Sequence, residues 1–306
     1  MPIHLPPISR RRFLSSSVAV GALAALPGGL FAQEKTLDPN SFALLSDSHI
    51  SGNRDEVKSK AHMSRNFSQA CGEVLALPQR PAAAFVNGDL AVLAGVAKDY
   101  EVFVDLLKPL REGKIPVTLT LGNHDHRANF FEALGKSGEA APKSPVEERH
   151  VSVIKSPRAN WFLLDTLEET NKTPGLVGAA QLKWLAAALD EHNDKPAIIM
   201  AHHTHDPGKP VTPFGMKDTD ALFAELLPRR HVKAFIHGHS HNWRFTSVQD
   251  LHIIGLPPTA YVFNPAKPSG WVHAQLQDNG MSLTLHSINP AHPEHHKTTD
   301  FGWRSA

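Results

Sequence analysis

The chain has 306 residues, 41% of them hydrophobic, enough to bury the core of one large or two modest domains. Lys and Arg (31) nearly cancel Asp and Glu (30); residues 1–32 hold three arginines and no acid, so the remainder sets 28 bases against 30 acids. That balance excludes a strongly basic nucleic-acid-binding surface or an anionic-membrane binder, and the lone Cys71 excludes an internal disulfide.

In chain order, "SRRRFL" (9–14) is followed by a mild apolar segment from Val18 to Leu26, then Pro27-Gly28-Gly29 and the small Ala32. Residues 1–32 resemble a bacterial twin-arginine signal peptide, which implies the twin-arginine export machinery as a partner and a periplasmic or secreted location. The apolar segment is far shorter than the ~20 residues a bilayer span requires, so no transmembrane span is expected.

After it, strand-length apolar runs end in polar residues: "SFALLSD" (41–47), "AAAFVNGD" (82–89), "IPVTLTLGN" (115–123), "WFLLDT" (161–166), "PAIIMAHH" (196–203) and "VKAFIHGHSH" (232–241). Between them, Met63, Phe67, Ala70, Cys71 and Val74 follow a helical period; so do Tyr100, Phe103, Val104 and Leu107, and Leu182, Leu185, Ala186 and Leu189. Cys71 is read as a buried filler on its helix face. Strand and helix in alternation predict an α/β domain with buried, largely parallel strands. Beyond residue 242, "WRFTSV", "LHIIGL", "TAYVF", "WVHAQLQ" and "MSLTLHSI" read as short antiparallel strands extending a second sheet of the same domain. Residues 289–306 read as a polar tail.

In open α/β sheets, ligands bind outside the carboxyl ends of the strands. The polar residues that follow these runs are Asp47, His49, Asp89, Asn123, His124, Asp125, His202, His203, His239 and His241, a metal-ligand inventory within a chain of 20 histidines. If their segments are extended, Asp47 with His49, and His239 with His241, point the same way. Gly88, Gly122 and Gly238 precede ligands, where the missing Cβ permits a tight turn. No G-x-S-x-G, P-loop or H-E-x-x-H motif competes with this reading.

The ordered blocks D-x-H, G-D, G-N-H-D, a late His and G-H-x-H, spread over 47–241, resemble the calcineurin-like metallophosphoesterase superfamily. "GDLAVLAGVAKDYEVFVDLLKPL" and "GLVGAAQLKWLAAAL" resemble its branch of bacterial cyclic-nucleotide and glycerophosphodiester phosphodiesterases. The resemblance implies an α/β fold in which two mixed β-sheets pack as a sandwich flanked by helices, with the catalytic domain over 33–288. It implies two divalent or mixed-valence metal ions (Fe, Mn, Zn or Co). One would be held by Asp47, His49, Asp89 and His241, the other by Asp89, Asn123, His202 and His239. It further implies a metal-activated water attacking a small phosphoester substrate, with His124 as general acid and Asp125 orienting its imidazole. His203 and Arg127 are candidate substrate contacts. "HHTH" (202–205) departs from the family's common His-His-Pro, and Val92 stands where purple acid phosphatases carry a tyrosine ligand, which excludes that branch. The expected activity is phosphodiester hydrolysis, with phosphomonoesterase or nucleotidase activity as the alternative. An alternative of another class is a non-catalytic metal- or phosphate-binding protein. The substrate rim is assigned to 50–56, 126–149 and 204–217; metal identity and oligomeric state stay open.

Overall fold

Burial of both faces of the first strand sets the architecture. In the computed structural model, which describes residues 35–137, 144–205 and 210–305, strand β1 (Leu37–Ser46) ends in six consecutive buried residues. Phe42 and Leu44 face one apolar cluster, whereas Ala43 and Leu45 face another, so both faces of the strand are covered. The export signal read over 1–32 lies outside the described residues.

Parallel pairing joins β1 to β4 (Arg80–Asn87) and β4 to β5 (Val117–Thr120); β12 (Gly270–Gln277), β13 (Gly280–Ser287) and β14 (Thr298–Gly302) add on antiparallel, giving the order β14-β13-β12-β1-β4-β5. The second sheet runs β10-β11-β9-β8-β7-β6, from β6 (Ser152–Lys155), β7 (Asn160–Leu163), β8 (Ala197–Met200), β9 (Val232–His237), β10 (Arg244–Val248) and β11 (Leu251–Gly255). A short ribbon, β2 (Val57–Lys58) with β3 (Ala61–His62), lies outside both sheets.

Phe42, Leu44 and Phe85 of the first sheet share a core with Trp161, Met200 and Ile236 of the second, so the sheets pack face to face. The outer face of the first is covered by α1 (Met63–Ala76), α2 (Ala97–Glu112) and α3 (Arg127–Lys136), whose Phe67, Cys71, Phe103, Leu107 and Phe130 are buried against Ala43, Leu45, Ala84 and Val86. The second is covered by α4 (Ala179–Glu191) and α5 (Thr219–Leu226), through Leu185, Leu189, Leu222 and Phe223. Each such side chain contributes about 1.5–3 kcal/mol by leaving water. The expected αββα sandwich is the observed fold, and no described helix is long and apolar enough to cross a membrane.

Three details differ from expectation. The strands beyond 242 divide between the sheets: β10 and β11 extend the second, with β11 parallel to β9, while β12–β14 complete the first. "TAYVF" (259–263) is a loop, because Thr259 and Ala260 donate their backbone N–H groups to Ser46 and Asp47 at the end of β1 rather than to a ladder. The segment read as a polar tail contains β14, an edge strand on β13. It also contains Arg304, which is 5% exposed and donates to the carbonyls of Leu226, Arg229 and Val232.

Candidate metal centre

The loops leaving the carboxyl ends of β1, β4, β5, β8 and β9 carry Asp47 and His49, Asp89, Asn123, His202, and His239 and His241, respectively. Two of these loops are zipped together: Asp47, His49 and Ile50 donate backbone N–H groups to the carbonyls of Gly88, Asp89 and Leu90 at 3.2, 2.9 and 2.9 Å. The donors do not converge by extended geometry. Asp47, His49, Asp89, His239 and His241 all have left-handed backbones, with φ between 46° and 62°. Such conformations cost about 1–3 kcal/mol each and persist where surrounding structure over-determines them. The glycines serve close approach: a Cβ at Gly122 would lie 2.3 Å from Asp89 Oδ1, and one at Gly238 would lie 2.2 Å from Ser46 Oγ. At Gly88, with φ of 67°, it would meet the His202 ring.

Three trios of donor atoms result, each within 4.8 Å of one another: Asp47, His49 and His241; His49, Asp89 and His124; and Asp89, His202 and His239. Nε2 of His241 lies 3.4 Å from Asp47 Oδ1, and Nε2 of His202 lies 3.2 Å from Asp89 Oδ2. The Nε2 atoms of His49 and His241 face each other at 3.0 Å. Asn123, 4% exposed, holds a buried Oδ1 without a hydrogen-bond partner. Facing imidazole nitrogens, buried carboxylates and an orphaned amide oxygen fit divalent transition-metal ions, which take such N and O donors.

The electrostatics agree. Burial alone would raise the Asp47 and Asp89 carboxyls, but the imidazoles of His241 and His202 outweigh it, holding Asp47 at about 2 and Asp89 well below the usual carboxylate range. Burial pushes His49 down to about 3 and His239 to about 4, which leaves both rings neutral with a lone pair to offer. Burial works against a proton on His202 too, yet Asp89 raises that ring to about 9, so this proton must leave when a cation takes the same position. Outer partners fix the rings: His202 Nδ1 meets Asn87 O at 3.0 Å, and His241 Nδ1 meets Tyr261 O at 2.5 Å.

Beside this centre the residue roles diverge from expectation. His124 stands at the rim with Nδ1 2.7 Å from Leu93 O, so a backbone carbonyl orients its ring and Asp125 does not. Asp125 is fully buried and accepts from the backbone N–H groups of Leu90, Ala91 and Gly122 and from the Tyr100 hydroxyl. It therefore clamps the loop of Asp89 onto the turn of Asn123. The guanidinium of Arg127, the other candidate substrate contact, forms a bidentate pair with the buried Asp165 at 2.9 and 3.0 Å and also donates to Leu167 O. His203 is buried against Thr166 Oγ1 at 2.8 Å and the His239 ring at 4.8 Å, which makes it a wall of the second trio.

Sequence reasoning missed two features. Asn87 ties the sheets together under the centre, donating to Ala201 O and accepting from Thr120 Oγ1; an Asn before G-D in an apolar run was the available signal. The loop 257–264 places Tyr261 and Phe263 on the His241 ring, and its aromatic residues among prolines were read as a strand instead.

Fold and site define a metal-dependent phosphoric ester hydrolase. The calcineurin-like phosphoesterase family matches residues 41–243, about two thirds of the chain, and the protein belongs to it. A glycerophosphodiester phosphodiesterase from Enterobacter lignolyticus is 25% identical over 80% of this chain and 90% of its own length. A 3',5'-cyclic adenosine monophosphate phosphodiesterase from Haemophilus influenzae is 22% identical over 78% and 86%. Among solved structures, a dimetal phosphatase from Danio rerio shares the fold, with a TM-score of 0.66 at 14% identity, covering 87% of this chain and all of that one.

Proposed function

We propose that the protein hydrolyses phosphodiesters with the aid of divalent metal ions that Asp47, His49, Asp89, His202, His239 and His241 would hold, Asp89 being common to both positions. The observation that carries this is that Asp89 belongs to two donor trios at once, with Asp47 and His241 beyond His49 on one side and His202 and His239 on the other. Asn123, whose buried Oδ1 has no hydrogen-bond partner, would supply a fourth donor to the second position. When bound, paired divalent ions supply an activated water and Lewis-acid charge for in-line displacement at phosphorus.

The chain's own residues do the rest. Asp47 and Asp89 bring two negative charges, so the loaded pocket stays positive toward an anionic ester. His124, with Nδ1 fixed by Leu93 O, is set to give a proton to the departing alkoxide as its bond to phosphorus breaks. Diesters are favoured over monoesters because a dianionic phosphate gains most from a guanidinium fork, and Arg127 is committed to Asp165. The diester relatives point the same way. Assay of the metal-loaded protein on bis(p-nitrophenyl) phosphate beside p-nitrophenyl phosphate tests the reading: the diester should turn over faster, and turnover of the monoester alone rejects it.

Residues 1–32 support a second element of the reading, action after twin-arginine export, because a chain with one cysteine and a preloaded metal centre suits a route that moves folded protein. An Arg10→Lys, Arg11→Lys, Arg12→Lys triple variant should remain in the cytoplasm, and unchanged fractionation refutes it.

A further inference from the structure

Three of the seven large apolar side chains left in water among the described residues contact this centre. Phe263 is 62% exposed, Leu93 54% and Phe214 48%, although each sits on a residue of the site: Phe263 and Phe214 on the His241 and His239 rings, Leu93 through its carbonyl on His124. Exposure of that size has no packing benefit in a domain whose core is otherwise closed.

Phe263 is the most informative of the three. Its ring lies over His241 with centroids 4.4 Å apart and planes 15° from parallel, so one face is occupied and the opposite face is open. The loop that carries it is tied to the centre: Thr259 and Ala260 donate to the carbonyls of Ser46 and Asp47, Asn66 Nδ2 donates to Ala260 O, and Tyr261 O accepts from His241 Nδ1. The open face is thereby held at a constant position relative to the metal ligands on one side. Phe214, 5.6 Å from His239, stands at the other, and its neighbour Pro213 accepts from His239 Nε2 at 3.4 Å.

We propose that Phe263 is a stacking platform that selects phosphoesters bearing a planar aromatic group, nucleobase or aryl, with Phe214 as the opposing wall. The proposal rests on the phosphoester reading of the site and adds the substrate class. A flat π-system stacked on an open aromatic face gains about tenfold or more in affinity, a gain that a glycerol-type substituent, lacking a π-face, does not make. Phe263 is a specificity residue on this account and takes no part in bond breaking.

Calorimetric titration of the metal-loaded protein with matched probes tests it. Phenylphosphonate against methylphosphonate isolates an aryl ring, and AMP against ribose 5-phosphate isolates a base. At least one aromatic member should bind about tenfold tighter than its partner; which one does distinguishes aryl from nucleobase as the preferred group. The preference should collapse in Phe263→Leu, which keeps apolar bulk, and return in Phe263→Trp, with bis(p-nitrophenyl) phosphate showing a raised KM and a kcat within about twofold in the leucine variant. Equal affinities in both wild-type pairs, or a preference unchanged in Phe263→Leu, overturns the proposal. Because affinity is read without turnover, a failure of diester hydrolysis is recorded separately from a failure of the platform.

Discussion

Two groups of histidines stand out among the described residues, and only one converges as a candidate metal centre. In the first, His49, His202, His239 and His241 sit at strand ends with ring nitrogens turned toward each other and toward Asp47 and Asp89. In the second, His273 and His286 on β12 and β13 and His295 and His296 in the following loop meet ring against ring, mostly edge to face. His295 lies 3.7 Å from His296 by centroid, and His286 stacks on Trp271 at 4.1 Å. No trio of donors from that group converges among the described residues. His295 instead accepts from the backbone N–H of Ser287, pinning the loop to the sheet. Abundant imidazole is therefore not sufficient; convergent lone pairs beside a carboxylate are what distinguish a cation site from a stacked edge.

Breaking the first group should have the largest effect. Asp89→Ala removes the oxygen common to two trios and should lower phosphoesterase activity at least roughly 10³-fold with loss of bound metal, whereas His286→Ala should leave metal content by elemental analysis unchanged. Next is Gly122→Ala, whose Cβ would lie 2.3 Å from Asp89 Oδ1. A shifted ligand should weaken metal affinity about 10–100-fold in chelator competition. Asp125→Ala strips the acceptor from three backbone N–H groups and a tyrosine hydroxyl, so urea unfolding should show a loss of about 2–3 kcal/mol. Its surviving activity should keep the wild-type dependence on leaving-group pKa, which His124→Ala should alter.

The smallest effect belongs to the second group. Burial, then the neighbouring His296, lowers His286 from its ordinary 6.5 to about 4. The unfolded chain binds this proton more readily, so the associated stability is present above about pH 6.5 and lost as pH falls through 4. Partial exposure screens the term to about 1 kcal/mol, and His286→Gln should flatten the dependence of the urea midpoint over that window by a corresponding amount.

The identities of the ligands were legible because buried parallel strands force polar residues to their carboxyl ends, and Asp47, Asp89, His202 and His241 stand there in the chain itself. Their backbone conformations were not, since i and i+2 donors are compatible with either an extended or a left-handed path. His124 and Arg127 show a different limit: a local pattern names the residue type, but Leu93 and Asp165, their partners, lie 31 and 38 positions away. β14 was hidden by the polar residues an edge strand carries, and Phe263 by a loop whose register depends on contacts with β1.

The central claim is that Asp89 joins two cation positions. Anomalous diffraction from crystals of the protein loaded with Mn²⁺ or Zn²⁺ addresses it most directly. Two peaks should appear about 3.5–4 Å apart astride the Asp89 carboxylate, one against His241 and the other against Asn123 and His239. A single peak remote from Asp89, or ions gathered on His286, His295 and His296, would contradict it.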